Sequence, residues 1–171
     1  RELLLTLASY YRQTLENEQY MLNLHTELYH VNTYLELEKA RFEEKLQVDM
    51  EIEEDLDCMV PSFILQPLVE NAVRYGADEQ GIRTVLIRAF YALDGKKEGQ
   101  RQVCIQVQDH GKGFPQEVLE QFCHGDSWNR VGLRNVHERL KSVYGNEHGL
   151  RIENTGRGAC VSFLIPENGP S

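Results

Sequence analysis

The chain has 171 residues, a net charge of −9 and 41% hydrophobic residues. That length allows one domain with an appendage, and that charge argues against a general nucleic-acid-binding surface. Four cysteines, at 58, 104, 123 and 160, form no Cys-x-x-Cys pair, and the six histidines form no His-x-x-x-His pair. This speaks against a disulfide framework or a histidine-based metal site and for reduced thiols in a cytosolic domain. The chain begins at Arg1 with no signal-like or long apolar segment, the pattern expected of a piece of something longer. Residues 36–57 concentrate the acidity, with ten Asp or Glu against three Lys or Arg.

Residues 1–15 have a helical pattern, with Leu4, Leu5, Ala8, Tyr11 and Leu15 on one side. Asn23 is placed to cap a second helix reaching about Phe42, on which Leu24, Leu28, Val31 and Leu35 keep the i, i+4, i+7, i+11 rule. Together these predict an N-terminal helical hairpin over 1–44. Its stripes have three possible partners: each other, the following domain, or a second copy of the chain.

From Leu46 the period changes to two. Leu46, Val48, Met50 and Ile52 alternate with Gln47, Asp49, Glu51 and Glu53, as in a half-buried strand. Residues 61–76 read as one helix, with Phe63, Ile64, Leu68 and Val69 on an apolar stripe, Pro61 in the first turn and Gly76 at the C-terminal cap. Its polar face carries Glu70, Asn71 and Arg74. Strands are expected at 82–93 and 102–108, joined as a hairpin through the polar turn at 94–99. A Gly-rich loop at 109–114, a short helix at 115–122, an aperiodic mobile loop at 123–130 and a helix at 132–144 follow. Strands at 150–154 and 160–165 flank Gly156-Arg-Gly158, and the tail from Pro166 is expected to fray. Hairpins rather than strict βαβ alternation predict a two-layer α/β sandwich over 45–166, one mixed sheet with helices on one face. Residues 167–171 form the tail.

Three segments have chemical potential: Glu70-Asn71, Asp109-x-Gly111-x-Gly113, and Gly132-Leu133 at a helix start. Asp-x-Gly-x-Gly after a strand also suits an ordinary turn, and Gly132 a simple helix entry. Taken together they fit a nucleotide. Glycines let a flat ring approach the backbone, a carboxylate accepts from an exocyclic amine, an uncapped helix start offers N–H groups to phosphate, and an amide oxygen is a hard ligand for Mg²⁺.

These motifs resemble those of the LytS/YehU-type sensor histidine kinases, in the GHKL (gyrase, Hsp90, histidine kinase, MutL) ATPase superfamily. Leu65-Gln-Pro-Leu-Val-Glu-Asn-Ala-Val-Arg-Tyr-Gly76 is similar to the N box. Asp109-His-Gly-Lys-Gly-Phe114 is similar to the G1 box, and Val131-Gly-Leu-Arg-Asn-Val-His-Glu-Arg-Leu140 to the G2 box with its helix. Gly156-Arg-Gly158 is similar to the final Gly-x-Gly segment, and Tyr34-Leu-Glu-Leu-Glu-Lys-Ala-Arg-Phe42 to the helix before the ATPase domain.

The resemblance implies a Bergerat ATP-binding fold and a protein-histidine kinase that uses ATP and Mg²⁺. Asn71 would ligate Mg²⁺, with Glu70 and Arg74 beside it as catalytic candidates. Asp109 would accept the adenine amine, and Gly111, Gly113 and Phe114 would shape the loop under the base. Gly132, Leu133 and Asn135 would meet the phosphates, and residues 115–131 would form the lid. Trp128 in the lid would plug, contact a partner or cover the adenine. The resemblance further implies a homodimer through the N-terminal helices, a response regulator receiver domain as partner, and membrane attachment only through segments outside these residues. The Pro-His-Phe-Leu-Phe-Asn acceptor segment of this type is absent here, so the phosphoacceptor would lie upstream of Arg1. His30 reads as an ordinary helix-face residue.

Three positions depart from the pattern. Arg130 and Ala159 stand where the family usually has Gly and Thr. Pro67 occupies the place of the Glu that activates water in hydrolytic relatives, which suits transfer to a protein side chain. The alternative reading is a degenerate module of this fold that binds nucleotide weakly or not at all and acts in dimerisation or regulation. A serine kinase of the anti-sigma type would share the pocket but lack the long helices in front of it.

Overall fold

The computed structural model describes residues 21–92, 101–125 and 130–170, together with Leu5 and Ala8. The helix expected at 1–15 and the polar turn at 94–99 lie largely outside the described residues. A short strand β1 (Met21–Asn23) leads into helix α1 (Leu24–Phe42). The Asn23 side chain accepts from the His25 N–H at 2.9 Å, so the cap read from the sequence is in place. The helix buries Leu24, Leu28, Val31 and Leu35, each at 8% exposure or less. It packs on the rest of the chain, through α2, β2 and β3.

After a single 3₁₀ turn come β2 (Leu46–Ile52), β3 (Met59–Pro61), α2 (Gln66–Tyr75), β4 (Arg83–Tyr91) and β5 (Gln102–Asp109). Helices α3 (Gln116–His124) and α4 (Val131–Tyr144) follow, then β6 (Arg151–Thr155) and β7 (Gly158–Pro166). Five strands form one sheet in the order β2-β4-β5-β7-β6. β2 runs parallel to β4 and the other pairs are antiparallel, giving the mixed sheet expected. Alternate residues of the central strands, such as Ile87, Ile105 and Phe163, point inward and are almost fully buried. The helices contribute Leu68, Val69, Leu133, Val136 and Leu140 to the same core.

The segment before α2 departs from the sequence expectation. Residues 61–76 are not one helix. Pro61 ends β3, which pairs antiparallel with β1, and the chain turns through Ser62–Leu65 before α2 begins at Gln66. Pro67, not Pro61, takes the first-turn position of the helix. Phe63 adopts φ +57, a left-handed conformation incompatible with a continuous helix. The smaller differences are at ends. α3 extends two residues beyond Phe122 to His124, β7 runs to Pro166, and Glu167 is held by the Arg101 carbonyl and guanidinium rather than frayed.

Candidate functional site

The amphipathic pattern of α2 turns Leu68, Val69, Ala72 and Val73 to the core and leaves Glu70, Asn71 and Arg74 on the opposite side. These three side chains line a cleft of about 730 Å³. Its second wall is the first turn of α4, with Val131, Gly132 and Leu133. Its third is the end of α1, with Tyr34, Glu38, Arg41 and Phe42. The volume falls in the range of about 300–1,000 Å³ typical of small-molecule sites. Four arginines, at 41, 74, 83 and 130, border it against Glu38 and Glu70, a basic lining within an acidic chain.

α4 starts at Val131, and its N-cap residue Arg130 makes no side-chain cap among the described residues. Its first N–H groups therefore have no partner within the helix, and the positive end of its dipole lies at the cleft. Gly132 faces α2, where a Cβ would meet Pro67 at an ordinary contact distance of 3.8 Å. An uncapped helix start of this kind accepts phosphate oxygens.

Asp109, the last residue of β5, lies behind the end of α2. It is 4% exposed. Its Oδ1 accepts the N–H of Gly111 at 2.8 Å and that of Ala159 at 3.3 Å. Among the described residues Oδ2 takes no hydrogen bond, which leaves an acceptor for an exocyclic amine. Burial pushes the Asp109 carboxyl above its ordinary 3.8, and the two N–H donors with His110 and Arg130 draw it partly back. The loop after it passes so close to α2 that a Cβ on Gly111 would lie 2.7 Å from both the Tyr75 carbonyl and the Gly76 Cα. Gly113 has φ +78, and a Cβ there would meet the Asn154 amide at 2.7 Å.

The structure brings Glu70, Asn71, Arg74, Gly132 and Leu133 to one cleft, which Asp109, Gly111, Gly113 and Phe114 do not line: Asp109 and Gly111 pack against the end of α2, Gly113 against Asn154, and the Phe114 ring lies 5.5 Å from the Arg130 guanidinium. Asn135 is exposed on α4 and does not line the cleft. Trp128 lies outside the described residues. His30 meets the Tyr29 ring edge-on and is held below its ordinary 6.5 by burial, as befits a helix-face residue. His137 accepts the Leu150 N–H at 3.0 Å and ties α4 to the approach of β6.

Three contributors were not read from the sequence as such. The first is the Arg130 contact. Its backbone has φ −93, ordinary for any residue, so this position does not demand glycine. Its guanidinium donates to Asn71 Oδ1 at 2.9 Å and stands 3.5 Å from the centre of the Tyr75 ring. The second is Asn154, which accepts the Phe114 N–H at 2.6 Å and donates to the Phe114 carbonyl at 2.9 Å, clamping the loop. An Asn inside a strand runs against β propensity, and that was the available signal. The third is the end of α1, whose place in the cleft wall is a long-range contact.

Residues 61–169 match the family model described as histidine kinase-, DNA gyrase B- and HSP90-like ATPase. The chain belongs to that ATPase family. Residues 1–46 match a second model, described as histidine kinase. Among curated proteins the chain is 38% identical over 175 residues to a sensor protein LytS of Bacillus anthracis, covering 98% of this chain and 28% of that one. It is 34% identical over 171 residues to the sensor histidine kinase YpdA of Escherichia coli, covering 97% and 28%. The LytS-type resemblance read from the boxes is therefore met, and the chain spans little more than a quarter of these relatives. Among solved structures, the catalytic domain of histidine kinase ThkA superposes with TM-score 0.63 at 18% identity, over 89% of this chain and 98% of that one. Histidine kinase AdeS of Acinetobacter baumannii gives TM-score 0.63 at 17% identity, over 98% and 77%. Both confirm the ATPase-family fold. No helix among the described residues is long and apolar enough to cross a membrane.

Proposed function

We propose that this ATPase-family domain binds Mg·ATP in the cleft between α2 and α4 and serves as the catalytic part of a two-component sensor histidine kinase. What supports the reading is an amide oxygen and a helix start with unfilled N–H groups in one cleft, with a buried carboxylate packed against the end of α2 beside it. These groups fit the ligand: a hard oxygen for Mg²⁺ on Asn71, N–H donors for the phosphates at Gly132 and Leu133, and an acceptor for the adenine amine on Asp109. Bound Mg²⁺ would neutralise charge on the phosphates.

The chain's own part is positioning. Asn71 would hold Mg²⁺, and Arg74, exposed one turn further along α2, would supply positive charge to the phosphates. Glu70, which accepts from Gln66 Nε2 at 3.1 Å, borders the same edge. Pro67 stands where hydrolytic relatives have a base, so water has no activating carboxylate at that place and transfer to a side chain is favoured. The acceptor in this reading is a histidine on a helix preceding Arg1, with relay to an aspartate of a response regulator receiver domain. The partner chain docks through the N-terminal helices, and membrane attachment belongs to segments outside these residues.

One observation favours the alternative, a degenerate module with weak nucleotide binding: Arg130 already occupies the Asn71 oxygen. Titration with a fluorescent ATP analogue and Mg²⁺ separates the two. Saturable, Mg²⁺-dependent binding that is lost in Asn71→Ala supports the kinase reading, and no saturation at millimolar nucleotide supports the degenerate module.

A further inference from the structure

Glu27 lies on the buried side of α1, between Leu24 and Leu28, and is fully buried. A carboxylate out of water is costly unless it is hydrogen-bonded. Here its two oxygens reach across 36 and 38 residues of sequence. Oε2 accepts the Phe63 N–H at 3.2 Å and Oε1 accepts the Leu65 N–H at 3.0 Å. Leu65 is the N-cap of α2 and supplies no side-chain cap of its own. A side chain of a different helix therefore takes the N-cap N–H of the N-box helix, the bond that the acidic half of a capping box makes, and holds the turn before it near the positive end of that helix's dipole.

The turn it holds is strained. Phe63 sits at φ +57, a conformation that a bulky residue adopts only when its surroundings impose it. The same turn is gripped from the other side. Arg139 of α4 donates to the Ser62 carbonyl and faces Ser62 Oγ at 3.4 Å, and Ser62 is fully buried. Three helices thus converge on four residues: α1 through Glu27, α4 through Arg139, and α2 by springing from the turn. Asn71 follows Leu65 by six residues, about 9 Å along a helix rising 1.5 Å per residue. α2 is a short rigid rod, so a displacement of the turn is carried to Asn71.

We propose that Glu27 is a positioning residue that fixes the aim of Asn71 and makes the nucleotide site respond to the placement of α1. This rests on the reading of the cleft as a Mg·ATP site. If Glu27 served only to fill the core, a leucine or methionine would do as well without the cost of burying charge.

The test uses the whole chain. A trinitrophenyl-ATP titration is run with Mg²⁺ and again in EDTA, alongside thermal melting, for wild type, Glu27→Gln, Arg139→Gln, Asn71→Ala and the exposed control Glu36→Gln. Glu27→Gln is expected to fold and to lose about tenfold of the affinity gained from Mg²⁺, the size of one lost cap interaction, while EDTA binding stays within about twofold of wild type. Glu36→Gln should leave both unchanged. Folded Glu27→Gln with the wild-type Mg²⁺ gain overturns the inference. Should Glu27→Gln fail to fold, Arg139→Gln loosens the same turn from α4 and must show the same selective loss, and an unchanged Mg²⁺ gain there overturns it too. Failure of the underlying reading looks different: wild type then shows no saturable binding, or Asn71→Ala keeps its Mg²⁺ gain.

Discussion

Arg130→Ala tests the cleft most directly. In the structure Arg130 donates to Asn71 Oδ1 at 2.9 Å and lies 3.5 Å from the Tyr75 ring centre and 5.5 Å from that of Phe114. A hydrogen bond from a charged donor contributes about 1.5–3 kcal/mol, and a guanidinium over an exposed aromatic ring about 0.5–1 kcal/mol. Arg130 is only partly buried, so solvent screening brings the sum down to about 1–2 kcal/mol. Mg²⁺ on Asn71 Oδ1 would stand beside this guanidinium, and the repulsion between the two cations, with the weakening of these contacts, subtracts from binding. Removing the guanidinium should therefore tighten Mg·ATP binding by about 5–30-fold, with a smaller gain when EDTA replaces Mg²⁺. The φ of −93 suits alanine, so the variant should fold, less stable by no more than the contacts it loses. Isothermal titration with ATP in both conditions reads the effect. Weaker Mg·ATP binding in Arg130→Ala would refute the reasoning and mark Arg130 as a ligand of the phosphates.

Asp109→Asn should raise the melting temperature while lowering ATP affinity by about 10–100-fold: burial penalises the ionised carboxyl at pH 7, and the amide puts a donor against the adenine amine. Gly111→Ala places a Cβ 2.7 Å from backbone atoms of Tyr75 and Gly76 that cannot swing aside, so urea denaturation should show a loss of about 1–3 kcal/mol, with weakened nucleotide binding. His137 is held below its ordinary 6.5, chiefly by burial and then by Lys141, and accepts a backbone N–H when neutral. Its contribution to stability is complete above pH 6.5 and is lost as the pH falls through and below that value, so melting curves from pH 7.5 to 5 should fall less steeply for His137→Gln. Asp109 works in the opposite direction, because its raised carboxyl loses its penalty on acidification, and the wild-type comparison separates the two.

Much of this fold follows from local periodicity. The α1 stripe and the alternation of β2 are patterns a few residues long; the packing keeps the first whole and the second except at Met50, which is exposed. Of the motif residues, those on α2 and at the start of α4 share one cleft, while Asn135 does not line it and the loop after Asp109 packs against the end of α2. What could not be read locally depended on distant partners. Phe63, Ile64, Leu68 and Val69 have helical spacing, yet the first of them is in a left-handed turn held by Glu27, more than thirty residues earlier. β1 and β3 have three residues each, too few to show alternation, and exist because they pair with one another. Glu27 itself gave a signal, an acid inside an apolar stripe, but its meaning lies in the N–H groups of another segment.

The change of period near residue 45 marks where helix gives way to strand, and the packing does not divide there. α1 buries its stripe in the common core, lends Tyr34, Glu38 and Arg41 to the cleft wall, and holds the N-cap N–H of α2 with a carboxylate. An ATPase domain that were independent of the preceding helix would need its own cap at Leu65 and a relaxed residue at 63, and this chain has neither. The cleft proposed to hold the nucleotide and the helix that precedes it therefore form one mechanical unit in this reading. Any force on α1 that shifts Glu27 is felt at the turn before the N box, and any ligand that draws Asn71 toward it acts back on α1 through the same two hydrogen bonds, since coupling between two sites is reciprocal.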